Sequence, residues 1–363
     1  MKVAVVALTG RGTGLGLKVS KVLRAAGGYE VELYTMPDLA RDIDGAVPLE
    51  EPPGRAVGEL FYQYRGLVMI MALGIVIRTL APHVRDKRTD PAVVVLDEGG
   101  SFVISALSGH LGGANDLARL IARGLGSTAV ITTATDVNGV PAVDVLARDL
   151  QLIPEPPDAI KKFNAALARG ERVKLYTMYD LPLPQAESLS VRPWKELGEG
   201  EDGWRVMVTG QDPFAAGKKD ILLRPRNLVV GVGCKRGVDS ADILVEIKRT
   251  FAMARRSLLC LRALATIEAR ASEEGLVRAS GELGVPLIGF GAPEINGAIE
   301  RYGLSKSDYV MHRMGVGGVC EPAAMLACRQ GRMLAPKRKC AGITLALAEE
   351  GSGWWESDPG RRT

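Results

Sequence analysis

At 363 residues the chain is long for a single core, so two or three domains are expected. A net charge of +4 with 24% charged residues lacks the dense, aromatic-interleaved basic clusters of nucleic-acid binders, yet suits a small polyanionic ligand. Aromatics at 5% leave Val, Leu, Ile and Ala to build the core, a bias that fits buried parallel sheets covered by helices.

In chain order, KVAVVAL at 2–8 reads as a buried strand. The apolar run breaks at Gly10, too short for a membrane span and without a cleavage-site context, so a cytoplasmic protein without a membrane partner is expected. A Gly-rich turn from Thr9 to Gly16 leads to a helix near 16–26, then to the strand VELYT at 31–35. After the prolines at 48, 52 and 53, a short helix precedes the strand LVMIMA, and Gly74 to Leu80 reads as helical. PAVVVLD and FVIS form adjacent strands joined by the tight turn EGGS. Between Gly113 and Gly126 a helix carries an apolar stripe through Ala114, Leu117, Ala118, Ile121, Ala122 and Leu125, with Arg119 and Arg123 outward. The strand AVITTA follows.

The stretch 138–226 is proline-interrupted, with a helix near 157–169 and strands near 172–178 and 204–209. At 228 the pattern restarts with the strand LVVGVG, a helix near 239–255, LRALATIEA, a helix near 273–283, the strand PLIGF, a Gly-rich turn into CEPAAMLAC, and the strand AGITLALA. The rhythm predicts an α/β protein: two doubly wound α/β domains, 1–137 and 227–349, joined by a smaller α+β region over 138–226. The tail 350–363, with Trp354 and Trp355, reads as peripheral.

Four segments bear chemistry. GRGTGLG at 10–16 invites a dinucleotide reading, but the third glycine of GxGxxG falls on Leu15 or Leu17, and neither Glu32 nor Asp38 convinces as a ribose acid. IRTLAPHVRDKRTDP gathers Arg78, His83, Arg85, Lys87 and Arg88, either a solvated loop or a cluster gripping carboxylates. SGHLGGAND sets His110 among glycines at a helix start, where unpaired amides suit a carboxylate or an oxyanion; a capped helix with a surface histidine is the plain alternative. GVGCKRG at 231–237 and GVGGVCEPAA at 315–324 repeat the theme with Lys235, Arg236, Cys320 and Glu321. Cys320 is either a thiol with lowered pKa or a small buried residue, and Glu321 either transfers protons or caps the helix. The five cysteines form no CxxC pair and three scattered histidines no metal motif, so neither a disulfide framework nor a metal site is expected.

RTLAPHVRDKRTDPAVVVLDEGGSFVISALSGHLGGANDLA with ITTATDV, then VVGVGCKRG, LATIEARASEEGL, GVPL and VGGVCEPAAMLA, together resemble the cobalt-precorrin-5A hydrolase family, CbiG, over roughly 65–137 and 228–349. The C-terminal part is also similar to CobE. The resemblance implies hydrolysis of a ring-contracted cobalt tetrapyrrole in cobalamin biosynthesis: water opens a δ-lactone and the extruded two-carbon fragment leaves as acetaldehyde. Cobalt arrives inside the substrate, so no cofactor is expected, and other enzymes of the pathway are the implied macromolecular contacts. On this basis His110 is assigned as base or acid, amides around Gly112 and Gly113 as oxyanion donors, and Glu321 as a later proton-transfer group. Arg78, His83, Arg85, Lys87, Arg88, Lys235 and Arg236 would hold the substrate's periphery. Ser108, Gly109, Asn115, Gly233, Cys234, Gly317 and Cys320 complete the expected substrate-binding set. The rival expectations are a non-catalytic carrier of cobalt-corrinoid precursors and a nucleotide-dependent oxidoreductase.

Overall fold

A computed structural model describes residues 1–49, 52–86, 89–133, 136, 142–183, 186–198, 202–212, 214, 216–340, 342–351 and 353–356. The chain forms two compact units, Met1–Val145 and Leu146–Thr363.

In the first unit, β1 (Lys2–Ala7), α1 (Gly10–Ala26), β2 (Glu30–Thr35), α2 (Pro37–Ala40), β3 (Ala46–Pro48), α3 (Pro53–Gln63), β4 (Gly66–Ile70), α4 (Leu73–Leu80), β5 (Ala92–Leu96), β6 (Phe102–Leu107), α5 (Ala114–Leu125) and β7 (Thr128–Val130) follow in order. The sheet runs β3-β2-β1-β4-β5-β6-β7. Neighbours are parallel except for the β5–β6 pair, the hairpin expected at EGGS. Val19 and Leu23 of α1 pack with Leu117 and Ile121 of α5 on one face, and Val57, Phe61, Val76 and Leu80 of α3 and α4 cover the other. Each fully buried aliphatic side chain of this kind contributes about 1.5–3 kcal/mol.

The expected Gly-rich turn is instead the opening of a helix. Thr9 caps α1, its Oγ1 accepting the Gly12 amide at 3.1 Å, and the glycines lie within the helix. Gly16 is needed for close packing, since a Cβ there would lie 2.8 Å from the Leu33 side chain of the sheet. The phosphate loop that the dinucleotide reading required is therefore missing at this position.

The second unit holds two sheets. The helix α6 (Val143–Asp149) leads in from the first unit, and β8 (Leu152–Glu155), α7 (Ala159–Ala168), β9 (Val173–Thr177), β10 (Leu189–Pro193), β11 (Trp204–Val208) and β12 (Asp220–Pro225) follow. Their sheet runs β10-β9-β11-β12-β8, parallel except where β8 pairs with β12. Then come β13 (Leu228–Cys234), α8 (Ser240–Met253), β14 (Leu261–Ile267), α9 (Glu274–Leu283), β15 (Leu287–Phe290), α10 (Ala292–Tyr302), α11 (Asp308–Met314), α12 (Cys320–Leu326), β16 (Arg332–Cys340) and β17 (Ile343–Glu349). This sheet runs β15-β14-β13-β17-β16, with β13, β14 and β15 parallel and β16 and β17 antiparallel. Ile243, Ile247 and Phe251 of α8 cover one face; Ile295, Ala323 and Ala324 of α10 and α12 cover the other.

The tail is not peripheral where it is described. Trp354 is fully buried, and its indole N–H donates to the Leu150 carbonyl at 3.0 Å. Among the described residues no helix is long and apolar enough to cross a membrane.

Candidate functional sites

In the first unit the segment Ser108–Gly113 wraps over the start of α5. Gly113 takes φ +86°, a left-handed conformation that favours glycine, and Gly112 lies so close to Ser108 that a Cβ would meet the Ser108 Cβ at 2.4 Å. Gly109 likewise abuts the Asn115 amide group. His110 is thereby held with Nε2 2.7 Å from Asp136 Oδ2 and Nδ1 3.4 Å from Asp144 Oδ2. Hydrogen bonds from Asp144 and Asp136 outweigh burial and raise the imidazole pKa above its ordinary value. Thr133, Arg119 and His110 hold the Asp136 carboxyl down to about 2, although burial opposes them.

This arrangement corrects several expectations. The α5 amides are already occupied: Gly113 N donates to His110 O at 3.0 Å, Ala114 N to Ser108 O and Asn115 N to Gly109 O. Gly113 is thus no free oxyanion donor. Asn115 is buried and fully engaged, accepting from Ser105 and donating to Thr133 and Asp136, so it orders the cluster rather than touching substrate. Arg119 does not simply face outward, because its guanidinium pairs with Asp136. The raised pKa shifts His110 toward its protonated form relative to an ordinary imidazole, a bias that suits an acid more than a base. Ser108 stands at φ +55° with its hydroxyl buried and without a hydrogen-bond partner among the described residues.

Elsewhere in this unit, His83 Nδ1 lies 3.1 Å from Tyr62 Oη and its ring presses on Gly58 of α3. The Arg85 guanidinium sits over the Tyr62 ring, and its amide donates to Asp90. Arg78 is exposed on α4. Lys87 and Arg88 lie outside the described residues.

In the second unit a cleft of about 940 Å³ opens beyond the carboxyl end of β13. The strand order reverses there, since the chain builds β14 and β15 to one side of β13 and β17 and β16 to the other. Gly233, Cys234, Lys235 and Arg236 line the cleft, together with Arg270, Arg313, Lys337 and Lys339, and no carboxylate is among the described lining residues. Tyr309, Val310 and Met314 of α11 add an apolar wall. The CKRG loop is tied down by Glu273, whose carboxylate accepts the Gly237 amide at 2.7 Å and pairs with Arg270 at 3.1 Å. Gly233 needs to be small because a Cβ would meet Thr344 Oγ1 at 2.5 Å.

Three further expectations change here. Cys320 is buried, and burial pushes its thiol up to about 11, the opposite of an activated nucleophile. Glu321 accepts the Lys337 amide at 3.1 Å, so its carboxylate secures β16. Gly317 stands outside the cleft lining, its amide donating to Asn296 Oδ1 at 3.2 Å. Sequence reasoning missed Lys337 and Lys339, although the KRK run at 337–339 was a visible signal. It also missed Asp144 and the α11 wall.

Fold and site define an α/β protein with a crevice lined by cationic side chains at the carboxyl end of β13. Family models for the cobalamin synthesis G N-terminal region, the cobalamin biosynthesis central region and the cobalamin synthesis G C-terminus match residues 55–136, 141–225 and 228–348. The chain is 32% identical to a cobalt-precorrin-5A hydrolase of Priestia megaterium, over 95% of this chain and 94% of that one. It is 33% identical to a cobalt-precorrin-5A hydrolase of Salmonella typhimurium, over 84% and 87% respectively. Protein CobE of Sinorhizobium sp is 30% identical over 33% of this chain and 79% of its own length. The chain belongs to the cobalamin synthesis G family, CbiG, and is a hydrolase of cobalamin biosynthesis.

Proposed function

We propose that this chain is a cobalt-precorrin-5A hydrolase, opening the δ-lactone of a ring-contracted cobalt tetrapyrrole and releasing acetaldehyde. The observation that carries this reading is the cleft whose lining holds six cationic side chains and no described carboxylate. A macrocycle edged with carboxylates satisfies that excess of charge, while its apolar faces meet Tyr309, Val310 and Met314. The relatives' names supply the reaction, and the cleft's chemistry supports its substrate class.

In this reading water adds its hydroxyl to the lactone carbonyl carbon, and the ring C–O bond breaks to leave a carboxylate and a hydroxyl on the two-carbon fragment. That hydroxyl gives up its proton to solvent water, and the carbon–carbon bond to the macrocycle breaks. The electron pair stays with the macrocycle and the fragment leaves as acetaldehyde. His110 is the candidate proton-transfer group, its imidazole biased toward the protonated form by Asp144 and Asp136. Glu321, engaged by the Lys337 amide, takes no part in proton transfer. Cobalt is carried by the substrate, so no resident cofactor is required. The reaction belongs in the cytoplasm, beside the enzymes that supply and consume these intermediates.

An anaerobic assay with cobalt-precorrin-5A tests the reading. Trapped acetaldehyde with loss of the two-carbon unit from the substrate supports it. Tight stoichiometric binding without acetaldehyde would instead establish a carrier and reject the hydrolase.

A further inference from the structure

No carboxylate is among the described residues lining the cationic cleft, yet one carboxylate is bonded to two parts of its wall. Glu273 stands just before α9, its side chain partly buried. Its Oε1 accepts the Gly237 amide at 2.7 Å, and its Oε2 pairs with Arg270 Nη1 at 3.1 Å. Gly237 takes φ +71°, a left-handed conformation, and directly follows the cleft residues Lys235 and Arg236. The start of α9 presses on the same loop: a Cβ on Gly275 would lie 2.0 Å from the Val238 carbonyl oxygen. The two ends of the loop are fixed as well. The Lys235 amide donates to Gly342 O at 3.1 Å, and the Asp239 carboxylate accepts the Ala241 amide at 2.9 Å at the start of α8. Between those anchors Glu273 ties the middle of the loop to a different element.

A negative charge so close to the cleft repels each incoming carboxylate, an effect that solvent and salt reduce but do not reverse. What the same carboxylate supplies is geometry. Long cationic side chains lose much rotamer freedom when a ligand orders them, and a backbone and guanidinium held in place beforehand lower that cost. Arg270 contributes through the same carboxylate. A guanidinium has five N–H donors, and pairing at Nη1 leaves others for a ligand's carboxylate.

We propose that Glu273 is a positioning residue of the cleft: it fixes the Lys235–Arg236 loop and the Arg270 guanidinium in the arrangement that grips a polycarboxylate, and so strengthens anion binding despite its own negative charge. This rests on the reading of the cleft as the tetrapyrrole site. The two tasks fall to different oxygens, so substitution separates them. Gln at this position keeps an acceptor for the Gly237 amide but turns a donor toward Arg270. Ala removes both contacts.

The sign of the change in affinity is the test. Binding of uroporphyrin, a metal-free octacarboxylate, to the full chain is followed by fluorescence over a range of salt concentrations. Glu273→Ala should raise Kd about tenfold and make its salt dependence shallower, because fewer ionic contacts form. Glu273→Gln should raise Kd about threefold with an unchanged melting temperature. Were Glu273 merely a nearby charge, both variants would bind the anion more tightly than wild type; were it merely part of the α9 start, a folded variant would bind equally well. An equal or lower Kd in either folded variant therefore overturns the proposal, and so does a Gln variant that binds no better than the Ala variant. Should Glu273→Ala fail to fold, Glu273→Gln decides alone by whether its Kd lies above that of wild type. A wild type that does not bind uroporphyrin at all would instead reject the cleft as the tetrapyrrole site, and the proposal with it.

Discussion

His110 Nε2 lies 2.7 Å from Asp136 Oδ2, and the same carboxylate is braced by Thr133, Asn115 and Arg119. The imidazole is thus bound into a charged network rather than displayed at a helix start. Its pKa is raised, so the stability it contributes is fully present below about pH 6.5 and is lost as pH rises through the folded-state value. His110→Gln should lower the urea midpoint most near pH 6, by an amount equivalent to about 1.5–3 kcal/mol. The difference should shrink toward alkaline pH. Asp136 acts oppositely: its contribution is present above about pH 4 and is lost as pH falls toward 2. A histidine resonance titrating below 6.5 would contradict this picture.

Gly231 carries the tightest backbone contact in the C-terminal sheet. A Cβ there would lie 1.8 Å from the Cys320 carbonyl oxygen, an atom that cannot rotate away. Gly231→Ala should cost about 3 kcal/mol or more and push α12 off the sheet. Urea denaturation measures the loss, and a midpoint shift under about 1 kcal/mol equivalent would show that α12 moves freely.

The cleft's cations should act together. In the proposed reading Lys235 and Arg236 hold the substrate's periphery rather than the reacting bond, so replacing both by Gln should raise KM about tenfold or more, with kcat less affected. Added salt should weaken wild-type binding more steeply than binding to the variant. Equal salt dependence in the two proteins would place the carboxylates elsewhere.

Trp354 fills a buried site and donates to Leu150 O, so Trp354→Ala should destabilise by about 3–5 kcal/mol. Truncation before residue 354 should do the same. Differential calorimetry gives the answer, and an unchanged transition would return the tail to the periphery.

Burial pushes the thiols of Cys234 and Cys320 alike up to about 11, but Cys320 is almost wholly enclosed whereas Cys234 and Cys340 keep partial exposure. Alkylation at neutral pH should label Cys234 or Cys340 well before Cys320. Rapid loss of activity traced to Cys320 alone would restore it as a nucleophile.

Much of the fold was legible because its signals are local. The apolar stripe of 114–125 and the hairpin at EGGS rest on periodicity and turn chemistry within a few residues, and both elements formed where expected. The glycines of α1 were misread because they look like a turn, when one of them serves helix–sheet packing against Leu33. β16 escaped notice because Pro336 and the KRK run disguise a strand; as an edge strand it tolerates a proline and charges that an interior strand would not.

By itself the sequence determined the repeated α/β pattern, the family and the residue types that could grip a polyanion, since these are written in periodicity and short motifs. Only the tertiary structure decided which of them meet. Asp136 reaches His110 from 26 residues away, and Lys337 and Lys339 join Lys235 through a strand pairing. Cys320 and Glu321 are withdrawn into packing. Sequence lists chemical groups in order along the chain, whereas their charge state and availability depend on burial and on partners brought close by folding.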